Sequence, residues 1–144
     1  FRLLLPLADI QVSAVEPLGS PIAGTGCILV VDDEDIIRST AKAMLEHLGY
    51  SVLLAVDGED GLDVFKRNRE RVNLVILDMI MPRMSGRDCF GGIRAIDSHA
   101  RVLLASGFSR ESDLEAMKAN GVLGFLRKPF NTLELSRAVA QALR

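Results

Sequence analysis

Short apolar runs alternate along the chain with segments in which apolar residues recur every three or four positions. Residues 27–31 and 74–77 are uninterrupted apolar runs, which are typical of strands buried on both faces of a parallel sheet. After the first run, Ile37, Ala41 and Leu45 fall at helical spacing. The same change of period occurs five times, so the pattern predicts five strand–helix units.

The predicted strands are the apolar runs bounded by glycine, proline or charged residues. They cover residues 27–31, 51–56, 73–78, 101–106 and 123–127. The first helix should end at Gly49, the second at about Arg69 and the fourth at Asn120. Ser85 and Asn131 are predicted to begin the third and the fifth helix. The predicted fold class is α/β, a doubly wound parallel sheet with right-handed crossovers and helices on both faces.

The segment before residue 27 differs from the rest of the chain. Residues 1–8 predict one further strand, and residues 9–25 are mixed in character and rich in small residues and proline near their end. The predicted compact domain is therefore residues 27–144, and residues 1–26 are interpreted as the end of a preceding domain plus a linker. Because the first residue is Phe1, we expect the sequence to be a piece of a longer chain.

Composition narrows the class of protein. With 49% apolar and 25% charged residues among 144, the chain has the composition of a globular domain and the length for a sizeable core. Its net charge of -2 gives no reason to expect nucleic acid, and no apolar run approaches the ~20 residues of a membrane span. Cys27 and Cys89 have neither metal-binding nor disulfide spacing, which favours a reduced, cytoplasmic setting.

Polar side chains occur at the end of every predicted strand. In an open parallel sheet these ends lie along one edge, where ligands bind. The residues concerned are Asp32, Asp33, Asp57, Asp78, Ser106 and Lys128. Their joint placement predicts a functional site at that edge.

Three of these residues, Asp32, Asp33 and Asp78, would converge if the first and third strands are neighbours. Carboxylates held close together repel one another, and a divalent cation relieves the repulsion. Hard oxygen ligands from a few acids, with water in the remaining positions, suit Mg²⁺. Together with the Lys128 ammonium and the Ser106 hydroxyl, the set suits a phosphoryl group bonded to the Asp78 carboxylate.

Residues 27–144 resemble the receiver domain of two-component response regulators. The matching residues are Asp32-Asp33-Glu34, Asp78 in Leu-Asp-Met-Ile-Met-Pro, Gly86, Ser106 and Lys128-Pro129-Phe130. The resemblance covers the whole predicted domain, and the combination of motifs is highly specific. It implies a flavodoxin-like (βα)5 fold with a five-stranded sheet in the order 2-1-3-4-5.

The resemblance also implies a reaction and its cofactor. Asp78 would accept a phosphoryl group from a phosphohistidine, and Asp32 and Asp33 would hold Mg²⁺ together with Asp78. Ser106 would bond one phosphoryl oxygen and Lys128 would pair with another. The domain would thus be a phosphoacceptor of a two-component phosphorelay that catalyses only its own phosphorylation and dephosphorylation.

Further expectations concern the switch and the partners. Phe125 falls at the aromatic switch position of the family, and a cis peptide bond before Pro129 would turn Lys128 into the site. Phosphorylation would draw Ser106 toward Asp78, let Phe125 move inward, and alter the surface of helix 4, strand 5 and helix 5. The implied partners are a histidine kinase or a histidine phosphotransfer domain, with self-association through the same surface.

The first residues carry a second resemblance. Phe1-Arg2-Leu3-Leu4-Leu5-Pro6 is similar to the final strand of the ATP-binding domain of sensor histidine kinases. Such a strand, a linker and a receiver follow one another in hybrid histidine kinases. We therefore expect the parent chain to be a hybrid histidine kinase, with an arbitrary apolar arm as the alternative.

Two other classes of protein share this topology. An aspartyl phosphatase or phosphotransferase is the alternative function, but that class needs a second acid two residues after its nucleophile, where this chain has Ile80. A flavodoxin-like cofactor binder needs a glycine- and hydroxyl-rich phosphate loop after the first strand, where this chain has Asp32-Asp33-Glu34. A G-x-x-x-x-G-K nucleotide-binding loop is absent from the sequence.

Two apolar side chains are candidates for gating water. Ile80 and Phe108 lie two positions after Asp78 and Ser106, where they would flank the approach of water to the phosphorus atom. Neither side chain can hold or orient an attacking water. The sequence therefore predicts slow loss of the phosphoryl group.

Overall fold

The computed structural model describes residues 21–107 and 111–144. Its strands are β1 (Cys27–Val31), β2 (Ser51–Ala55), β3 (Leu74–Asp78), β4 (Val102–Ser106) and β5 (Gly124–Arg127). Its helices are α1 (Asp35–His47), α2 (Gly58–Arg67), α3 (Gly86–Ile96), α4 (Glu111–Ala119) and α5 (Thr132–Ala142). The five strand–helix units of the sequence pattern are confirmed. The further strand predicted over residues 1–8 lies outside the described residues.

The five strands form one parallel sheet in the order β2-β1-β3-β4-β5, as the family resemblance implies. β1 and β3 are direct neighbours, with Val31 opposite Leu77. The residues that follow these two positions, Asp32 and Asp78, therefore emerge side by side at the carboxyl edge. β1 and β3 do not follow one another in the chain. They are adjacent because the connection from β2 to β3 crosses back over β1.

Side chains of the sheet alternate between two buried clusters, because successive residues of a strand point to opposite faces. On one face, Leu29, Leu77 and Leu104 pack with side chains of α2, α3 and α4, such as Phe65 and Ile93. On the other, the alternate strand residues pack with α1 and α5. The three central strands are buried almost throughout, whereas β2 and β5 at the sheet edges are half exposed. The rigid centre of the sheet therefore carries the Asp32 and Asp78 ends.

Several element ends differ by one or two residues from the sequence prediction. α2 ends at Arg67 rather than about Arg69, because the Asn68 side chain donates to the carbonyl oxygen of Val64 at 2.8 Å and closes the last turn. β2 ends before Val56, whose N–H donates to the Asp60 side chain. Local side-chain bonds of this kind compete with the regular backbone pattern.

Residues 21–26 form a strap that is packed against the domain. The N–H of Ile22 donates to the buried hydroxyl of Ser136 in α5 at 3.0 Å, and the N–H of Gly24 donates to the carbonyl of Leu48 at 2.9 Å. The carbonyl of Gly26 then accepts from the N–H of Ser51 at 2.8 Å. The end of the predicted linker is thus seated on α5 and on the turn after α1.

Among the described residues, no helix combines the length and the apolar character that crossing a membrane requires.

Candidate functional site

A cleft of about 460 Å³ opens at the carboxyl edge of the sheet. Every strand-end residue in it comes from a central strand or from the loop that follows β5. Its lining includes Asp33, Asp78, Ile80, Ser106, Lys128 and Pro129. The structure thus brings together most of the polar residues that the sequence places at strand ends.

Two carboxylates lie almost fully buried beside this cleft. Asp32 is 2% exposed and Asp78 is 5% exposed, whereas Asp33 lies at the exposed mouth. Each of the three offers one carboxylate oxygen, and these oxygens lie within 4.8 Å of one another. The N–H of Glu34 donates to Asp32 Oδ1 at 2.9 Å and so fixes one side of that carboxylate.

Lys128 supplies the positive charge of the cluster. Its Nζ lies 2.7 Å from Asp32 Oδ2, 3.1 Å from Asp78 Oδ1 and 3.8 Å from Glu34 Oε1. The side chain is only 12% exposed, so the ammonium is directed inward rather than into solvent. A single ammonium therefore bridges the two buried acids, whose combined charge exceeds its own.

Burial and neighbouring charges shift the pKa values of Asp78 and Lys128. Burial, followed by repulsion from Asp32, raises the pKa of Asp78 to about 6, although Lys128 and the Ile80 N–H act in the opposite direction. Burial alone would lower the pKa of Lys128, but its hydrogen bonds and attraction to Asp32 and Asp78 outweigh that effect and raise it. Lys128 thus stays charged near neutral pH, while Asp78 is held in an ionised state at an electrostatic cost.

The cluster has the chemistry of a site for a hard divalent cation. Asp32, Asp33 and Asp78 present carboxylate oxygens that converge, and Asp33 at the mouth leaves the cluster open to solvent. Carboxylate oxygens with room for water are what Mg²⁺ prefers. The surplus of negative charge over the one Lys128 ammonium favours a cation at this place.

Ser106 and Pro129 occupy the positions that the sequence analysis assigned to them along the cleft. Ser106 is partly buried at the end of β4, and its carbonyl accepts from the Lys128 N–H at 2.9 Å. The peptide bond between Lys128 and Pro129 is cis, the geometry that the family resemblance led us to expect. A backbone hydrogen bond therefore joins the end of β4 to the Lys128–Pro129 turn, and both line the cleft.

The candidate switch and water-gating residues lie apart from the acids. Phe125 in β5 is opposite Leu104, packs against the core, and lines a groove of about 620 Å³ between β5 and its neighbouring helices. Ile80 is 65% exposed and lines the cleft. Phe108 lies outside the described residues.

Sequence reasoning missed Arg38 as a support for Asp32, and it assigned no contact to the Glu34 side chain. Arg38, in the first turn of α1, donates from Nη1 to the Asp32 carbonyl oxygen at 2.7 Å and from Nη2 to Asp35 at 2.8 Å. Glu34 approaches Lys128 from the mouth of the cleft. The three-residue spacing of Asp35 and Arg38 signals their ion pair, but no local pattern signals the bond back to Asp32.

Three comparisons with known proteins bear on this geometry. A family model described as the response regulator receiver domain matches residues 28–140. Sporulation initiation phosphotransferase F of Bacillus subtilis (strain 168) is 32% identical over 116 residues, which cover 81% of this chain and 92% of that protein.

Solved structures agree in fold over nearly the same region. The receiver domain from the hybrid histidine kinase CckA has a TM-score of 0.70 and 36% identity, and the match covers 83% of this chain and 100% of that one. The CheX-CheY-BeF3-Mg²⁺ complex from Borrelia burgdorferi has a TM-score of 0.80 and 25% identity over 83% of this chain and 90% of that one. The chain spans about half the length of two curated relatives that it matches, 48% in each case, and 13% of the length of a third.

The raised pKa of Asp78 predicts a pH-dependent cost to stability. The folded protein binds a proton at Asp78 below about pH 6 while the unfolded chain releases it near pH 4, so stability falls as the pH rises through this window. Asp78→Asn removes the charge and should raise the free energy of unfolding by about 1 to 3 kcal/mol at about pH 8 in EDTA, with little gain at about pH 4. Urea unfolding at both pH values measures the difference.

The exposed Asp113 provides the matched control, since Asp113→Asn removes a carboxylate outside the cluster. That control should change stability equally little at both pH values. An Asp78→Asn protein that is no more stable than wild type at the higher pH would contradict the raised pKa.

Proposed function

Because the chain belongs to the response regulator receiver domain family, we propose that it receives a phosphoryl group on Asp78 from a phosphohistidine. The domain is a phosphoacceptor signalling domain, and the identity of its acceptor rests on one observation. Asp78 is a buried carboxylate at the end of a central strand, bonded to Lys128 and adjacent to two further acids at the mouth of a cleft.

The chemistry follows from these neighbours. A carboxylate oxygen of Asp78 attacks the phosphorus atom, the bond from phosphorus to the imidazole nitrogen breaks, and the imidazole leaves with the electron pair. Negative charge spreads over the phosphoryl oxygens as this happens. Lys128, whose Nζ already lies 3.1 Å from Asp78 Oδ1, and the Ser106 hydroxyl in the same cleft are the groups that stabilise this charge.

Receiver domains bind Mg²⁺ through acidic residues, and in this chain Asp32, Asp33 and Asp78 are the residues that would hold it. When bound, a divalent cation supplies positive charge to the phosphoryl oxygens. The donor set supports this assignment because it consists of hard oxygens with an excess of negative charge.

The output surface consists of α4, β5 and α5. Ser106 ends β4 at the reaction site, and Phe125 lies on the neighbouring strand beside the groove that faces α5. Movement of Ser106 toward a phosphorylated Asp78 would give Phe125 room to turn inward and would reshape this groove. Partner binding and self-association are assigned to this surface, which half-exposed β5 leaves accessible.

The donor approaches from the carboxyl edge, where apolar side chains surround the acids. Ile36 at the start of α1 is 78% exposed and Ile80 is 65% exposed. Exposed apolar residues around a charged cleft suit a partner whose reacting histidine lies on an apolar helix face. A histidine kinase or a histidine phosphotransfer domain has the required phosphohistidine.

Several wider assignments belong to the same proposal. Residues 27–144 are the receiver domain, and residues 1–26 are the end of a preceding domain with its linker. A hybrid histidine kinase is the proposed parent chain, and the likeness to the CckA receiver domain supports it. Both cysteines are buried and unpaired, which supports a reduced cytoplasmic setting.

The alternative function, an aspartyl phosphatase or phosphotransferase of similar topology, is less well supported. Such an enzyme needs an acid that protonates or deprotonates the reacting group two residues beyond its nucleophile. Ile80 occupies that position, and its side chain has no proton to exchange.

Phosphorylation with a small donor tests the proposal directly. Mixed with acetyl phosphate and Mg²⁺, the wild-type protein should gain the mass of one phosphoryl group, and Asp78→Asn should gain none because its amide is not nucleophilic. Intact-mass spectrometry measures both. Asp33→Asn should slow labelling, and the exposed Asp113→Asn should not change it. Labelling of Asp78→Asn at the wild-type level would refute the assignment.

The proposed donor surface predicts a difference between large and small phosphodonors. Ile36→Ala should lower the rate of transfer from a phosphorylated histidine phosphotransfer domain about three- to tenfold, because apolar contact with the partner is lost. Labelling by acetyl phosphate should be unchanged. Glu70, which is exposed in the loop between α2 and β3 at the opposite edge of the sheet, provides the control Glu70→Ala. Equal rates for Ile36→Ala and wild type with the protein donor would exclude this surface.

Ile80 and Phe108 predict how long the phosphorylated state lasts. Neither side chain orients water, so the double variant Ile80→Asn and Phe108→Glu should lose its phosphoryl group several times faster than wild type. Mg²⁺ affinity should change little, since neither residue is one of the clustered acids. The measurement is the decay of phosphorylated protein after the donor is removed. Decay at the wild-type rate would mean that these side chains do not gate the water.

A further inference from the structure

The loop between β3 and α3 has an unusual backbone at its centre. Among the described residues, Arg83 is the non-glycine residue with a positive φ, 67°. A side chain with a Cβ disfavours this conformation, so a contact elsewhere must compensate for it. Arg83 is neither glycine nor the Asn or Asp that most often adopts this region.

That contact is an ion pair with Asp57. The Arg83 guanidinium donates to Oδ2 of Asp57, which lies between β2 and α2. The other oxygen of Asp57, Oδ1, accepts from the Asp60 N–H at 2.8 Å and caps α2. One carboxylate therefore serves two tasks through separate atoms. Asp57 follows a strand as the clustered acids do, yet it lies outside the cluster of Asp32, Asp33 and Asp78.

The next residue of the loop is packed against the same helix end. A Cβ added to Gly58 would lie 2.9 Å from the Cβ of Met84, so the two chains are in close contact. Cys89 in α3 donates from Sγ to the Gly58 carbonyl at 3.4 Å. The loop is thus held against the start of α2 at residues 83 and 84.

The first part of the same loop contacts the reaction site. The Ile80 N–H lies 3.5 Å from Asp78 Oδ1, the oxygen that also accepts from Lys128. The far end of the loop returns close to the strand, because a Cβ at Gly86 would lie 2.3 Å from the Asp78 carbonyl oxygen. Both ends of the loop are therefore tied to Asp78, and its middle is tied to α2.

We propose that the Arg83–Asp57 ion pair is a clip that positions the β3–α3 loop, and with it Ile80, for phosphoryl transfer at Asp78. The inference rests on the proposed function of Asp78. Arg83 and Asp57 are positioning residues, since neither touches the reacting atoms. The clip joins two long-separated segments, so its loss frees the loop without removing a group from the cleft.

Salt should weaken the clip. The Arg83 side chain is 66% exposed, and the attraction in such a pair is screened by dissolved ions. The strained backbone at Arg83 opposes the clipped state. The reaction rate of wild-type protein should therefore depend on ionic strength through this pair, and the rate of an unclipped variant should depend on it less.

Four variants isolate the contribution of the clip. Asp57→Asn keeps an oxygen that can cap α2 but loses the ion pair. Arg83→Met removes the charge, and Arg83→Lys retains it. Arg83→Gly removes the charge and also relieves the strained backbone. Circular dichroism and thermal melting establish that each variant is folded before kinetics are measured.

The readout is the rate of phosphorylation against acetyl phosphate concentration, with Mg²⁺ present, at low and at high salt. Asp57→Asn, Arg83→Met and Arg83→Gly should lower the rate at saturating donor about three- to tenfold, and Arg83→Lys should restore most of it. Salt should slow the wild type toward the variants, beyond any slowing that the variants themselves show. The double variant Asp57→Asn with Arg83→Met should be no slower than either single variant.

The pattern of rates decides whether the ion pair positions the loop. Wild-type rates in all four variants would overturn the clip while leaving the role of Asp78 intact. A defect of equal size in Arg83→Lys, or one with no difference in salt dependence, would also overturn it, because the ion pair would not be the cause. If the wild type itself fails to label, the proposed function fails instead.

Discussion

The structure depends on an uneven balance of charge at the carboxyl edge of the sheet. Asp32 and Asp78 are buried side by side, and one ammonium, that of Lys128, lies between them. Neither acid could be buried there ionised without this partner, yet the partner neutralises only part of their charge. In the proposed function, this remaining negative charge favours a cation at the site, and that cation would supply positive charge to the oxygens of a phosphoryl group.

The central strands of the sheet are more deeply buried than the edge strand β5. β1, β3 and β4 are packed on both faces, and their buried backbone carries Asp32, Asp78 and Ser106 at its carboxyl ends. β5 is half exposed and carries Phe125 beside an open groove. The proposed function therefore places the chemistry at the packed strands and the partner surface where side chains have room to rearrange.

The strand-end residues could be predicted because a change of hydrophobic period shows where each strand stops, as it does at Asp32 and Asp78. The adjacency of β1 and β3 was predicted from the family resemblance, because hydrophobic periodicity gives no information on the order of strands in a sheet. Arg83 and Asp57 could not be paired beforehand, because 26 residues separate them and both follow ordinary turn patterns. The same holds for the bond from Ile22 to Ser136, which joins positions 114 residues apart. Contacts of this kind depend on tertiary placement that no local pattern encodes.

The strap of residues 21–26 is anchored to the domain by a series of hydrogen bonds. Its hydrogen bond from Ile22 reaches Ser136 in α5, and its backbone then bonds to Leu48 and Ser51 before β1 begins. Within the described part of the strap, the first of these bonds is therefore to α5, not to a strand that carries an acid. α5 thus belongs both to the anchorage of the strap and to the surface proposed for partners. A partner that displaced α5 would therefore also disturb the seat of the strap.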